Sequence, residues 1–293
     1  MKVRVPLHIL LPVGGLIVLL GLLYLPTFRE LAQVWLDDPN YGHGFFSPFL
    51  AGCMVWSRRD KLDTLTVQPS AWGWLPLLSG LLLFIVGVAV EMVGGGRGGL
   101  FTMGWSFILT LMGLVLLLLG RGFCKQMAIP LAYLAFMMPL PTGVFTAVTM
   151  PLQVYATSAT TSALQLFGIP ALREGTLIHL PAMTLGVVEA CSGIRSLLTL
   201  LAAAVALGFF THKLLRWQRL LLIGSAVPVA IVTNTFRITG TGVLAYFFGE
   251  GVAQGFFHGF SGWGIFFMAA VLLCAEVFAL TRLTGDAEQE EAW

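Results

Sequence analysis

The sequence predicts an all-α polytopic membrane protein of about eight transmembrane helices with a small hairpin on the outer face, and three observations carry that expectation. Of its 293 residues 57% are apolar and only 10% are charged, against about a quarter charged in soluble domains. The mean hydropathy is +0.89, so the apolar mass must face something other than water. Finally, the apolar residues fall into runs approaching the roughly 20 residues that a bilayer crossing requires.

In chain order the expected spans are Leu7 to Leu25, Phe45 to Trp56, Trp74 to Val90, Leu100 to Leu119, Met127 to Leu140, Ser196 to Phe210, Leu220 to Thr233 and Gly262 to Leu280. The first follows Lys2 and Arg4 and lacks a small-x-small cleavage signal, so it reads as an uncleaved anchor. Small residues inside the runs, Gly80, Gly87, Gly240 and Gly242, suit close helix packing. The triglycine at Gly94 to Gly96 has no strand or Lys context of a phosphate loop and reads as a flexible turn. Between Thr142 and Phe167, apolar and hydroxyl residues at near-helical spacing suggest an interfacial or membrane helix. Arg173 to Glu189 alternates like a pair of short strands, the expected hairpin before Cys191. Residues 1–285 are expected to form one transmembrane domain, followed by an acidic cytoplasmic tail over 286–293.

Basic residues set the expected orientation. With the N-terminus inside, Lys2, Arg4, Arg58, Arg59, Lys61, Arg121, Lys125, Lys213, Arg216, Arg219 and Arg282 are cytoplasmic, eleven of the sixteen Lys and Arg. Arg29, Arg97, Arg173, Arg195 and Arg237 fall on the other side, and the last two sit at the ends of apolar runs. A net charge of +2 with no basic patch argues against a nucleic-acid partner. The four cysteines are far apart, and no H-E-x-x-H, G-x-S-x-G or P-loop pattern occurs, so neither metal nor cofactor is expected.

Ionisable side chains near hydrocarbon are expensive and tend to pair, line water or do chemistry. The candidates map to the outer boundary: His43 in Tyr41-Gly-His-Gly, Glu189, Cys191 and Arg195 in Glu189-Ala-Cys-Ser-Gly-Ile-Arg-Ser, Asn234 and Arg237 in Asn234-Thr-Phe-Arg, and His258 in Phe256-Phe-His-Gly-Phe. A helix start and the guanidinium of Arg195 would both favour a thiolate at Cys191; the competing reading is a small apolar filler. Arg237 is either a fixed cation for an oxyanion or substrate carboxylate, or a snorkelling surface residue. Asn234, one turn earlier, could orient it. His258 suits a general base and then acid beside the thiol, or an ordinary interfacial imidazole. His43 would line the cleft and Glu189 would pair with an arginine, unless both are structural.

Three of these blocks resemble the exosortase and archaeosortase family of membrane cysteine transpeptidases: Glu189-Ala-Cys-Ser-Gly-Ile-Arg-Ser, Asn234-Thr-Phe-Arg-Ile and the downstream His258, in that order. Asp38-Pro-Asn-Tyr-Gly-His-Gly is similar to the family's early Asp-Pro and Ser-His-Gly segment, with Gly42 in place of Ser, and Arg173-Glu-Gly-Thr-Leu-Ile resembles its stretch before the cysteine. The resemblance implies catalysis by Cys191, Arg237 and His258 on the periplasmic face of a bacterial inner membrane. The implied substrates are exported proteins with a C-terminal sorting signal, a short Pro-Glu-Pro type motif followed by a transmembrane helix and a basic tail. They would be cut through a Cys thioester and passed to an envelope or polysaccharide acceptor. Arg195 would bind an acidic motif residue. A different class competes: a non-catalytic transporter or polysaccharide-export subunit whose Arg and His bind an anionic substrate. A cysteine protease with water as acceptor is the enzymatic rival.

Overall fold

The computed structural model describes residues 7–181, 183–186, 193–249, 251–252 and 261–283. Helices dominate them: α1 (Leu7–Asp37), α2 (Phe46–Ser57), α3 (Arg59–Asp63), α4 (Trp74–Met92), α5 (Arg97–Leu118), α6 (Arg121–Tyr133), α7 (Thr142–Leu166), α8 (Ile194–Phe210), α9 (Arg216–Phe248) and α10 (Ser261–Leu283). Short 3-10 turns at Gly42–Phe45, Ala71–Gly73 and Leu134–Met137 link some of them, and three strands precede α8: β1 (Leu172–Glu174), β2 (Leu177–His179) and β3 (Thr184–Gly186).

Among the described residues four helical stretches are long and apolar enough to cross a membrane: Ala71–Met92, Arg97–Leu118, Arg216–Phe248 and Gly264–Leu283. Counting Arg121–Met137 with Thr142–Leu166 as one broken span makes five. The chain is thus an all-α membrane protein, but that measure does not reach the expected eight. At about 1.5 Å per residue, the 12-residue α2 and the 17-residue α8 rise only about 18 and 26 Å, short of a hydrocarbon core of about 30 Å. The run over Met127 to Leu140 breaks into α6 and a 3-10 turn, with Pro130 inside α6. The opposite error occurs at Thr233, where the expected run ends but α9 continues to Phe248. Polar side chains at Asn234 and Arg237 leave the intrahelical backbone bonds intact, so a polar cluster is not a helix stop.

The chain divides into two compact units. The first contains residues 1–48 and 58–141. Its centre is the α4–α5 hairpin, closed by small residues: an added Cβ on Gly87 would lie 2.6 Å from Met103 Cγ, and one on Gly80 would lie 2.5 Å from Thr110 Oγ1. Gly240, expected to play the same part, has open space around it. The turn at Gly94–Gly96 adopts φ +83 and +48 at its ends, which suits glycine. Buried Tyr24 joins α1 to this hairpin, its hydroxyl 3.0 Å from both Ser106 Oγ and Thr110 Oγ1. Its ring meets Phe84 and Phe107 edge-on.

The second unit contains residues 49–57 and 142–293. Leu200 and Ala204 of α8, Leu222, Ala226 and Ala230 of α9, and Ala269, Leu273 and Leu280 of α10 form one buried cluster. Ser225 of α9 donates to Glu276 of α10 at 2.5 Å, giving this half-buried carboxyl a partner. Within α7, the hydroxyls of Thr149, Thr157 and Thr161 each donate to the carbonyl four residues earlier, which lets hydroxyls sit buried in an apolar helix. The strands form an antiparallel sheet in the order β1-β2-β3, one strand more than the alternation suggests. Its apolar face, Ile178 and Leu185, packs with Ala156 and Leu164 of α7 and Ile238 of α9. Here Gly242 permits the approach, since a Cβ on it would lie 2.9 Å from Leu164 Cδ2.

Candidate functional site

Of the residues singled out above, Arg195, Asn234 and Arg237 lie in the second unit and His43 in the first. Glu189, Cys191 and His258 lie outside the described residues.

The start of α8 shows how two sequence blocks meet. Gly193, two residues after Cys191, is the N-cap of α8 and adopts φ +77, ψ −2, a left-handed conformation that favours glycine. A Cβ there would also lie 3.2 Å from Asn234 Cγ and 3.3 Å from Asn234 Cβ. The glycine of Cys-Ser-Gly-Ile-Arg is therefore required twice, by its own backbone and by the side chain of Asn-Thr-Phe-Arg on α9. Its carbonyl accepts from Leu197 N–H at 2.8 Å, closing the first turn of α8. The dipole of α8 gives positive potential at its start, beside Gly193.

Asn234 is buried, and Arg237, one turn further along the same face of α9, is half-buried. The Arg237 carbonyl accepts from the Thr241 hydroxyl at 3.0 Å. Arg237 thus sits inside a continuous 33-residue helix and not between two apolar runs. Counted from Leu220, where the expected run begins, it lies about 26 Å along the axis of α9. Arg195, in the first turn of α8, is exposed, and its carbonyl accepts from the Thr199 hydroxyl at 2.8 Å.

Beside Gly193 and Asn234 a cavity of about 10 Å³ is lined by Leu152 and Ala156 of α7, Leu197 of α8, and Ala230 and Ile231 of α9. Three helices therefore converge at the segment that leads to the cysteine, and the space left is about that of one water.

In the first unit, His43 lies in the 3-10 turn Gly42–Phe45, where burial pushes its imidazole below the usual histidine range while the carbonyls of Phe136 and Asn40 pull the other way. The turn is held by Trp35, whose indole N–H donates to the Met137 carbonyl at 2.8 Å and whose ring lies against Gly44 with no room for a Cβ. Tyr41 accepts from Leu140 N–H at 3.2 Å, and Arg97 lies over its ring at 5.4 Å. Arg97 also pairs with Asp38 at 2.5 Å. The role of Asp38-Pro-Asn-Tyr-Gly-His-Gly visible here is thus local: an ion pair, a buried tyrosine and a tight turn that together fix His43.

Sequence reasoning missed Gly193. Its signal was present, a glycine immediately before a strong apolar helix start, but a left-handed residue at that position also serves ordinary turns. It also missed the Asp38–Arg97 pair, since 59 residues separate its members. Among the described residues no group of three or more His, Cys, Asp or Glu is arranged to hold a metal ion.

A helical membrane protein in which two polar sequence blocks meet at the start of one apolar helix defines the class. The chain belongs to the transmembrane exosortase family, whose model matches residues 35–275. No curated protein and no solved structure matches it.

Proposed function

We propose that the protein is a membrane-embedded cysteine transpeptidase that cleaves the C-terminal sorting signals of exported proteins through a thioester on Cys191. The observation that carries this reading is the packing of Gly193 on Asn234, which ties the chain two residues after the thiol to the helix face bearing Arg237. Family membership supports it.

Cys191 thiolate attacks the carbonyl carbon of the scissile peptide bond. The Arg237 guanidinium stabilises the oxyanion that forms, and His258 in its imidazolium form protonates the departing amine as the C–N bond breaks. The acyl group stays on Cys191 as a thioester. An acceptor amine then attacks, losing its proton to His258, and the thiolate leaves; water in place of the amine gives hydrolysis. Arg195 and Glu189 bind and balance charge around the substrate's acidic motif residue, and His43 lines the substrate path. The site faces the periplasm, with the N-terminus and the acidic tail over 286–293 in the cytoplasm and residues 1–285 acting as one transmembrane domain.

The test compares intact masses of exported proteins from the native cell carrying either wild type or Cys191→Ala, with equal membrane abundance of the two. Proteins shortened at the C-terminus only in the wild type are the substrates, and added mass on them identifies the acceptor. Identical masses in both strains would sink the reading in favour of a non-catalytic transporter or export subunit.

A further inference from the structure

Among the described residues the sheet before α8 has an open edge, and its register shows which backbone groups lie along it. Leu180 N–H donates to the Met183 carbonyl at 2.9 Å, which makes Leu180 and Met183 a hydrogen-bonded pair. In an antiparallel ladder bonded and non-bonded pairs alternate. The pair Ile178 with Leu185 is therefore bonded, whereas His179 with Thr184 and Leu177 with Gly186 are non-bonded. The N–H and C=O groups of Thr184 and Gly186 thus point away from β2. β3 is an edge strand, and among the described residues no backbone group pairs with either residue from the other side. Both residues are exposed.

Two residues spaced i and i+2 with outward N–H and C=O groups form a template for one added strand. The rest of the sheet is fixed. Its inner face is anchored on α7 and α9 through Ile178 and Leu185. On its outer face the Thr184 hydroxyl bonds His179 Nδ1 at 3.0 Å, and His179 Nε2 bonds Glu174 at 3.1 Å. Such a braced edge loses little entropy when a peptide pairs with it. Position then says what that peptide is. Cys191 follows Gly186 by five residues, so the thiol-bearing residue lies within about 18 Å of the edge, the reach of five extended residues.

We infer that the free edge of β3, through the backbones of Thr184 and Gly186, binds an extended segment of the exported protein by strand addition and so holds it within reach of Cys191. This rests on the transpeptidase reading above and adds the substrate's binding mode to it. Main-chain bonding of this kind is tolerant of side chains, so one edge serves several exported proteins whose sequences differ at the paired positions.

The experiment uses the full-length enzyme in detergent and, as probe, a synthetic peptide spanning the cleavage site of a protein found shortened only with wild type. Thr184→Pro deletes an outward N–H and no ladder bond, but also the hydroxyl that meets His179, a loss that Thr184→Val produces alone and that is expected to leave peptide binding as in wild type. Arg173→Pro deletes the corresponding outward N–H on the opposite edge, because Arg173 pairs with Ile178 in a non-bonded position of β1. Thr184→Pro is expected to raise the half-saturating peptide concentration about tenfold, the size of one lost hydrogen bond, with the maximal rate little changed. Arg173→Pro is expected to match wild type. Should Thr184→Pro fail to fold, N-methylation of successive peptide residues assayed on wild type reads the same bonds, with loss at every second residue. Equal tolerance of all N-methyl positions, or an unaltered Thr184→Pro enzyme, overturns the strand-addition mode while Cys191→Ala remains inactive. If Cys191→Ala also processes the probe, the transpeptidase reading itself has failed and the inference falls with it.

Discussion

Gly193 and Asn234 touch across α8 and α9, and Gly208 and Arg219 repeat the contact at the other end of the pair, where a Cβ on Gly208 would lie 3.7 Å from the Arg219 Cβ. From 193 to 208 on one helix and from 219 to 234 on the other are fifteen residues each, so the two helices run antiparallel in register. The turn between them is short, with α8 ending at Phe210 and α9 starting at Arg216. Sliding either helix would break both contacts at once. The height of Gly193 relative to Arg237 is therefore fixed by packing along the whole helical hairpin.

Gly193→Ala places a side chain at φ +77 and within 3.2 Å of Asn234. The backbone strain alone costs about 1–3 kcal/mol, and the contact adds to it. Thermal unfolding in detergent should show a fall in Tm, and substrate processing should drop further than Tm does, since the displaced segment leads to the thiol. Asn234→Gly in the same chain should relieve the contact but not the strain, and so restore only part of the loss. An unaltered Tm in Gly193→Ala would refute the tight approach.

Arg237 is positioned by α9 and not by a loop, so its side chain can be changed without moving the backbone. Under the thioester mechanism, Arg237→Gln should lower the maximal processing rate about 10²–10³-fold while leaving the half-saturating peptide concentration nearly unchanged. Arg237→Lys should recover part of the rate, because the charge returns without the planar fork. A variant that loses affinity but keeps its rate would instead mark Arg237 as a substrate-binding cation.

Much of this was legible from residue types, and the failures are instructive. Composition alone required a bilayer, and the Cys-Ser-Gly-Ile-Arg and Asn-Thr-Phe-Arg blocks stood out because polar clusters beside apolar runs need a reason. Helix ends were less legible: Asn234 and Arg237 looked like a boundary because hydropathy falls there, yet α9 passes through them. The Trp35–Gly44 contact and the Asp38–Arg97 pair were invisible, because each depends on chain geometry that no local pattern encodes. The sheet was partly legible, since alternation marks strands but cannot count them.

The Asp38–Arg97 pair is partly shielded, its side chains 16% and 36% exposed, and Arg97 also covers the Tyr41 ring. Removing one partner strands the other in a half-buried site, so Arg97→Met and Asp38→Asn should each destabilise the first unit by about 1–3 kcal/mol. The double variant should cost less than the sum of the two. Additive losses in a thermal-unfolding cycle would show that the two charges act independently.

Glu30 of α1 and Glu91 at the end of α4 lie on one cavity of about 510 Å³, also lined by Asp37, Asp38 and Arg97. Burial raises the Glu30 carboxyl above its usual value of 4.5, and the hydrogen bond and negative charge of Glu91 raise it further. A folded-state value above the unfolded one means that the native protein binds this proton more tightly. The resulting stability is fully present below about pH 4.5 and is lost as pH rises through the raised folded-state value. Glu30→Gln keeps a hydrogen-bonding group but cannot ionise. As pH rises above about 4.5, the wild type should therefore lose more thermal stability than Glu30→Gln, whereas Asp37→Asn, which leaves Glu30 and Glu91 in place, should follow the wild type. Parallel Tm profiles for wild type and Glu30→Gln would mean that burial beside Glu91 does not raise the Glu30 carboxyl in the folded protein.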